Sequence, residues 1–351
     1  MVHEFSDADY NIPDVLHVSE AYGGGVQSAM SRYIENSPRL VHQVLVRTRT
    51  EHDIAEVCSA RAVCYNGTLP GFLVAARTHI SQSRPPIVHL HSSFAGLLRM
   101  FDFGPDIKII YTPHAYAFLR RDCSLLARGV YKLAESALSK RTQTIAAISP
   151  FEAASAAKMA GKSTEVVYLP NVVPHVARPA PSSPASNKRF KVVMAGRISA
   201  QKDPAFFAMT ARAAHSDVKW TWVGDGDADM RNELERAGVT VTGWLPNDLV
   251  KQQIAEADLY LHSAKWEGAP ITVLEAAAVG TPVLARGVQS MEGLGYLLTD
   301  DCPRAAAQAV DRFFSDSNYR RTAQAATEDS VLVHSPVIQS AALTALYGRA
   351  G

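Results

Sequence analysis

The stretch KWEGAPITVLEAAAVGTPVLA, residues 265–285, decides the fold. Pro270 suits a first helical turn, where its missing N–H costs nothing. The alanine-rich run after it stops at Gly280, and "TPVLAR" follows as a short apolar strand. Two acids bracket the turn, Glu267 in the loop and Glu275 inside a helix that otherwise reads as buried. Charged groups are almost never buried without partners, so something polar belongs between them. A helix N-terminus offers free N–H groups and the positive end of the dipole, which is an anion site. Glu275 lies roughly 7.5 Å further along the axis. That geometry suits a ligand with phosphates at the helix start and hydroxyl groups on either side, which carboxylates can accept from. The same pattern also reads as two acids with ordinary hydrogen bonds.

Outward from this segment, short apolar runs alternate with helical patterns along the whole chain. In the first half the strands fall at 14–19, 42–48, 86–92, 108–113, 144–149 and 165–170, with helices near 25–36, 70–82, 94–101, 122–140 and 150–160. The second half repeats the scheme, with strands FKVVMAG, KWTWVG, VTVTGW, DLYLHS, TPVLAR and GYLLT. Its helices lie near 203–214, 227–237, 247–256, 270–279 and 303–330. Apolar runs each followed by a helix indicate parallel sheets covered on both faces. The fold class is therefore α/β, with two doubly wound, Rossmann-like domains whose parallel sheets face each other across a cleft. "PHVARPAPSSPASNKR" (174–189) is too rich in Pro, Ser and Ala to build a core and marks the boundary. The expected division is 1–176, 177–334 and a closing helix within 335–351, with Val337, Ala341, Leu343 and Leu346 to bury. Ligands of such folds bind at the carboxyl ends of the strands.

At 351 residues, 47% hydrophobic and 20% charged, the chain has the make-up of a soluble globular protein of two domains. A formal net charge of +1 gives no field that favours nucleic acid. Four scattered cysteines form no CxxC pair and fit reduced thiols. "MVHEFSDADYNIP" lacks the basic flank and apolar run of a signal peptide, and no apolar stretch approaches the ~20 residues of a spanning helix. The expected location is cytoplasmic.

A second cluster supports the anion site. In "MAGRISAQKDP", Arg197 and Lys202 follow directly on a strand, placed to neutralise a diphosphate. Loop cations are usually only solvated, so this signal gains weight from the EGAPITVLE helix in the same domain.

Together, AGRISAQKDP, WVGDGD, VTGWLP and KWEGAPITVLEAAAVGTPVLA resemble the second domain of the family 4 glycosyltransferases of GT-B fold, whose two glutamates share the Glu267–Glu275 spacing. In the first half, YGGGVQSAM resembles that family's glycine loop and YTPHAYAFL its histidine loop. The resemblance implies a retaining, metal-independent transferase without cofactor. It would move a sugar, hexosyl groups being expected, from a nucleotide-diphosphate donor, UDP-sugar favoured, to a glycan or lipid-linked saccharide in surface polysaccharide synthesis. Arg197 and Lys202 would hold the leaving diphosphate, Glu275 the ribose, and Glu267 with Gly268, Ala269, Pro270 and Ile271 the donor sugar. His114 would reach that sugar from the first domain. Gly23, Gly24 and Gly25 would admit the phosphates or acceptor, and Gly196, Gly224 and Trp244 complete the expected donor contacts. VGDGDAD is more acidic than the family's usual VGDGP, and GVQSMEGLGYLL is shorter than its usual connection, so residues 291–295 stay outside the expected site. An epimerase of the same fold, or a binding subunit without chemistry, would share these residues but release no diphosphate in response to an acceptor.

Other features carry less. "DGDAD" resembles a metal triplet, but acids in a strand-to-helix loop also serve as caps. "AGKSTE" lacks the glycine a phosphate loop needs at 156, and YGGGVQS lacks the last glycine of a dinucleotide loop. His89 and His91 share one strand face, as zinc ligands would, but no third ligand follows at suitable spacing, and a place lining the cleft is expected instead. Finally, 118–141 carries six basic residues against two acidic, a local +4, with Leu126, Val130, Leu133 and Ala137 on one helical face. It reads either as an ordinary domain helix or as a contact with an anionic membrane.

Overall fold

The computed structural model describes residues 12–20, 22–47, 60–173 and 189–348. The first sheet holds β1 (Val15–Ser19), β2 (His42–Arg47), β3 (Arg61–Tyr65), β4 (Ile87–His91), β5 (Lys108–Thr112), β6 (Gln143–Ala147) and β7 (Thr164–Tyr168). All its pairings are parallel, in the order β3-β2-β1-β4-β5-β6-β7. The second holds β8 (Phe190–Ala195), β9 (Val218–Val223), β10 (Thr240–Val241), β11 (Leu259–His262), β12 (Val283–Arg286) and β13 (Leu297–Thr299), also parallel, in the order β10-β9-β8-β11-β12-β13. The central strands are buried on both faces, as sheets covered by helices require.

Helices α1 (Gly24–Glu35), α2 (Leu69–Ser83), α3 (Leu125–Leu138) and α4 (Pro150–Met159) belong to the first half. The second half supplies α5 (Pro204–Ala213), α6 (Ala228–Arg236), α7 (Asn247–Ala255), α8 (Ile271–Ala278), α9 (Pro303–Ser315) and α10 (Ser317–Leu332). The closing helix, α11 (Pro336–Tyr347), packs back on the first sheet: Leu343, Leu346 and Tyr347 join Val15, Ile110 and Ala146 in one apolar cluster. Lys108 Nζ donates to Leu346 O at 2.7 Å, and Asn36 Nδ2 to Gln339 Oε1 at 2.7 Å.

The structure corrects several expectations. β3 has no counterpart in the sequence reading, because its RAVCY edge strand is mostly exposed and lacks an apolar run. The 94–101 helix is a 3-10 turn (Ala95–Met100), and 239–244 keeps only two residues of strand. The span 303–330 breaks at Asp316, whose side chain caps α10 through Asn318 N and Tyr319 N. On α11, Val337 is 79% exposed and Ala341 is exposed too, while Gln339, in the helix interior, is buried and donates to Pro170 O. The boundary expected at 176 lies outside the described residues.

Candidate functional site

In each sheet the strand order reverses beside its first strand, between β1 and β4 and between β8 and β11. Ligands of open α/β sheets bind at such switch points. The loops that leave those strands carry the expected site residues.

In the second half, the loop after β8 holds Arg197 and Lys202, and the loop after β11 holds Glu267. Lys202 Nζ donates to Glu267 Oε1 at 2.5 Å, and Gln201 Nε2 reaches Glu267 Oε2 at 3.4 Å. Glu267 N donates to Ser290 Oγ, and His262 Nε2 stands 3.4 Å from the same carboxylate. Burial would raise the Glu267 pKa, but Lys202 and then His262 outweigh it and hold the group at about 2. Asp203, in a left-handed conformation at φ 51°, caps α5 and is gripped by Arg286 at 2.6 Å and Lys265 at 3.2 Å. That buried network fixes the loop that carries Lys202. Arg197 is exposed, and its guanidinium has no partner among the described residues.

Helix α8 begins at Pro270 without a side-chain cap, which leaves its first N–H groups available for an anion. Glu275, one turn on, is partly buried and has no hydrogen-bond partner among the described residues. Burial raises its pKa to about 7, against weaker pulls from Lys251 and from Arg32 across the cleft. A carboxylate left without donors in a half-dry place is a vacant acceptor.

Gly196 (φ 147°) and Gly224 (φ 134°) line the sheet end. A Cβ on Gly224 would stand 2.3 Å from Gly196 O, so the two loops approach as only glycine permits. The Gly224–Gly243 bridge brings Trp244 beside them, 63% exposed.

From the first half, Gly23 and Gly24 have positive φ, 153° and 53°, and α1 likewise starts without a side-chain cap. A Cβ on Gly25 would meet Ile271 Cγ1 at 3.8 Å, so α1 and α8 present their N-termini across the same gap. His114 (φ 50°) and Ala115 (φ 77°) form a strained loop after β5. A Cβ on Gly268 would lie 2.7 Å from Ala115 N and 3.0 Å from Glu152 Oε1, so the two halves touch at this turn. Asn171 Nδ2 donates to Ala269 O at 3.1 Å and locks the junction. His114 and Gly268 thus meet beside Glu267, and Gly25 faces Ile271.

Three contributors escaped the sequence reading: Gln201, Asn171 and Glu152. Ser149 and Glu152 follow the Ser-x-x-Glu capping pattern, which was the available signal. Ser149 Oγ caps Glu152 N, while the Glu152 carboxylate accepts from Ile148 N and from Ala115 N at 2.7 Å. Burial lifts its pKa to about 7 despite those two donors. The histidines depart from expectation: His89 and His91 are fully buried and do not line the cleft. A third nearby imidazole does exist, on β1; ligand atoms of His17, His89 and His91 lie within 4.8 Å of one another. In DGDAD, Asp227 caps α6 and Asp225 pairs with Arg231, as the capping alternative expects.

Residues 24–172 match the "Glycosyl transferase 4-like domain" family and residues 189–316 the "Glycosyl transferases group 1" family. An uncharacterized protein in the cps region of Klebsiella pneumoniae is 25% identical over 79% of this chain and 82% of its own. The UDP-Gal:alpha-D-GlcNAc-diphosphoundecaprenol alpha-1,3-galactosyltransferase of Escherichia coli is 25% identical over 62% of this chain and 61% of its own. Among solved structures, sucrose-phosphate synthase from Thermosynechococcus elongatus superposes with a TM-score of 0.78 at 17% identity, covering 95% of this chain and 98% of that one. Anabaena HepE in complex with UDP-glucose gives 0.72 at 15%, covering 94% and 98%. The chain belongs to the family 4 glycosyltransferases, with the two Rossmann-like domains of the GT-B fold.

Proposed function

We propose that this glycosyltransferase transfers a sugar from a UDP-sugar to a lipid-linked saccharide in polysaccharide synthesis, with retention and without a metal. The observation that carries the donor reading is the arrangement around α8: an uncapped N-terminus, a vacant Glu275 acceptor beyond it and the Lys202–Glu267 pair at its mouth. A diphosphate seated there has N–H groups, Arg197 and Lys202 for its charge, and Glu275 for ribose hydroxyls. Lys202 and Arg197 supply, without a metal, the positive charge that a departing diphosphate needs. Glu267, held ionised by Lys202, accepts from hydroxyls of the transferred sugar; His114 meets it from the other side. The Klebsiella and Escherichia relatives, one from a cps region and one acting on a diphosphoundecaprenol saccharide, support the polysaccharide setting and the acceptor class.

Helix α3 supports a membrane-bound acceptor. Leu125, Leu126, Val130 and Leu133 are 79, 80, 56 and 72% exposed, so the apolar stripe points outward. The inward face instead buries Glu135, which accepts from Arg99 and from Tyr111 Oη. An ordinary domain helix has the opposite orientation. Lys132 is exposed on the same helix, and Arg121, exposed just before it, pairs with Asp301 at 3.0 Å; basic groups beside an outward apolar stripe suit an interfacial helix on anionic lipid. Among the described residues no helix is long and apolar enough to cross a membrane, so contact would be peripheral. The test is release of UDP from a panel of UDP-sugars with and without polyprenyl-diphosphate saccharide. Acceptor-dependent release is expected; donor turnover that ignores every acceptor would favour an epimerase.

A further inference from the structure

Behind His114 the first domain holds a row of imidazoles, His91, His17 and His42, that the donor reading does not use. His42 on β2, His17 on β1, His91 on β4 and His114 in the loop after β5 touch in sequence. His17 Nε2 and His42 Nδ1 are 3.0 Å apart, His17 Nδ1 and His91 Nε2 2.9 Å, and His91 Nδ1 and His114 Nε2 3.1 Å. The parallel register aligns His17 with His89 and leaves His91 one pleat nearer the cleft. Burial holds His17 and His91 well below their ordinary pKa and lowers His114 to about 3, so these rings are neutral near pH 7.

A neutral imidazole carries one N–H and one bare nitrogen, so each contact in the row needs a donor and an acceptor. The direction is set at the far end. His42 Nε2 lies 3.2 Å from the carbonyl oxygen of Ser37, which can only accept, and 3.0 Å from Ser37 Oγ. Ser37 Oγ spends its own proton on Tyr33 O at 2.5 Å, so it too accepts from His42. His42 therefore carries its proton on Nε2 and offers a bare Nδ1. His17 must then donate from Nε2 and His91 from Nε2. His91 Nδ1 is left to accept from His114 Nε2. The last ring ends with a bare Nδ1, which joins no hydrogen bond among the described residues.

We propose that His42, His17 and His91 are positioning residues that hold His114 as its Nε2–H tautomer, so that Nδ1 meets the cleft as an acceptor for a hydroxyl of the bound sugar. The tautomer assignment stands on the row itself; the sugar hydroxyl rests on the donor reading above. An acceptor here matches the ligand's chemistry, since sugar hydroxyls donate readily. It also explains why the sheet keeps three of these imidazoles, on β1, β2 and β4, where aliphatic side chains would pack without polar cost. The alternative occupant is a metal ion on His17, His89 and His91. Both nitrogens of each are already engaged, those of His89 by Tyr347 Oη and Thr112 Oγ1, each at 2.8 Å.

The test is long-range proton–nitrogen correlation spectroscopy of the full chain with nitrogen-15 histidine. All four rings should be Nε2–H tautomers in the parent and in Ser37→Ala, which keeps the carbonyl acceptor. His91→Leu should turn His114 into a mixture of tautomers, and His91→Asn, whose Oδ1 replaces Nδ1, should restore the single form. In parallel, His91→Leu should remove about tenfold of the affinity that UDP-glucose or UDP-galactose gains over UDP, leaving UDP itself unchanged. A parent His114 protonated on Nδ1, or a tautomer indifferent to His91→Leu, overturns the proposal. So does stoichiometric Zn(II) binding that His89→Ala abolishes. Should the parent bind no UDP at all, the donor reading fails while the spectra still decide the tautomer.

Discussion

The two sheets have the same winding and place their switch points on opposite sides of one cleft, yet they equip them differently. The second domain uses charge: Lys202 on Glu267, and Arg286 and Lys265 on Asp203 behind them. The first uses uncharged imidazoles, His114 and those beneath it, beside Glu152, whose pKa burial lifts to about 7. On the proposed function, the contrast follows from the chemistry of the two sides: a departing diphosphate gains charge and calls for permanent positive charge beside it. The opposite side, proposed to meet sugar hydroxyls, would need direction without charge, since those hydroxyls are to be held but not ionised.

Removing the charge on one side should have the largest effect. Lys202→Ala should lower kcat/KM at least 100-fold, about 3 kcal/mol of transition-state stabilisation, in an acceptor-dependent assay. A loss under threefold would show that the diphosphate is neutralised elsewhere. Glu267 also loses its partner in this variant, so its pKa should rise above the value near 2 that Lys202 now imposes.

The contact between the two sides comes next. Gly268→Ala puts a Cβ against Ala115 N and Glu152 Oε1, where backbone must move. The halves should part by a small hinge movement, with activity falling about tenfold and the melting temperature by only a few degrees. A parent-like rate would mean that the junction is not closed during turnover.

Glu275 gives a pH-dependent comparison. Its pKa is 4.5 when unfolded and about 7 in the fold. Below the lower value it is protonated in both states and contributes nothing. As pH rises through the window the unfolded state ionises first, and above pH ~7 the buried carboxylate destabilises the fold by up to ~3 kcal/mol. Glu275→Gln should therefore melt higher than the parent at pH ~8 and alike at pH ~4. A variant that melts lower at the higher pH would contradict the vacancy assigned to this carboxylate.

The smallest effect concerns the exposed face of α3. Changing Arg120, Arg121, Arg128 and Lys132 to Ser should abolish cosedimentation with anionic vesicles while leaving UDP binding alone. Unaltered binding to vesicles would return α3 to an ordinary surface helix.

How much the sequence disclosed follows the same divide. The charged site was legible because its parts are local: Arg197 and Lys202 share one loop, and Glu267 and Glu275 one loop–helix unit. On the neutral side only His114 was read as a site residue, and the row behind it was not. His17, His42, His91 and His114 stand in four separate segments, and only the register of parallel strands brings them into a row. The α3 periodicity showed an apolar face, but periodicity cannot say which way a face points, and here Arg99 and Tyr111 draw Glu135 inward instead. β3 was missed for a related reason, since an exposed edge strand need not carry an apolar signature.

The most direct measurement is calorimetric titration of UDP into the parent and into Glu275→Ala. A nucleotide seated between the starts of α1 and α8, with its ribose on that carboxylate, requires saturable binding by the parent and at least tenfold weaker binding by the variant. Equal affinities, or no binding to either, would contradict the account.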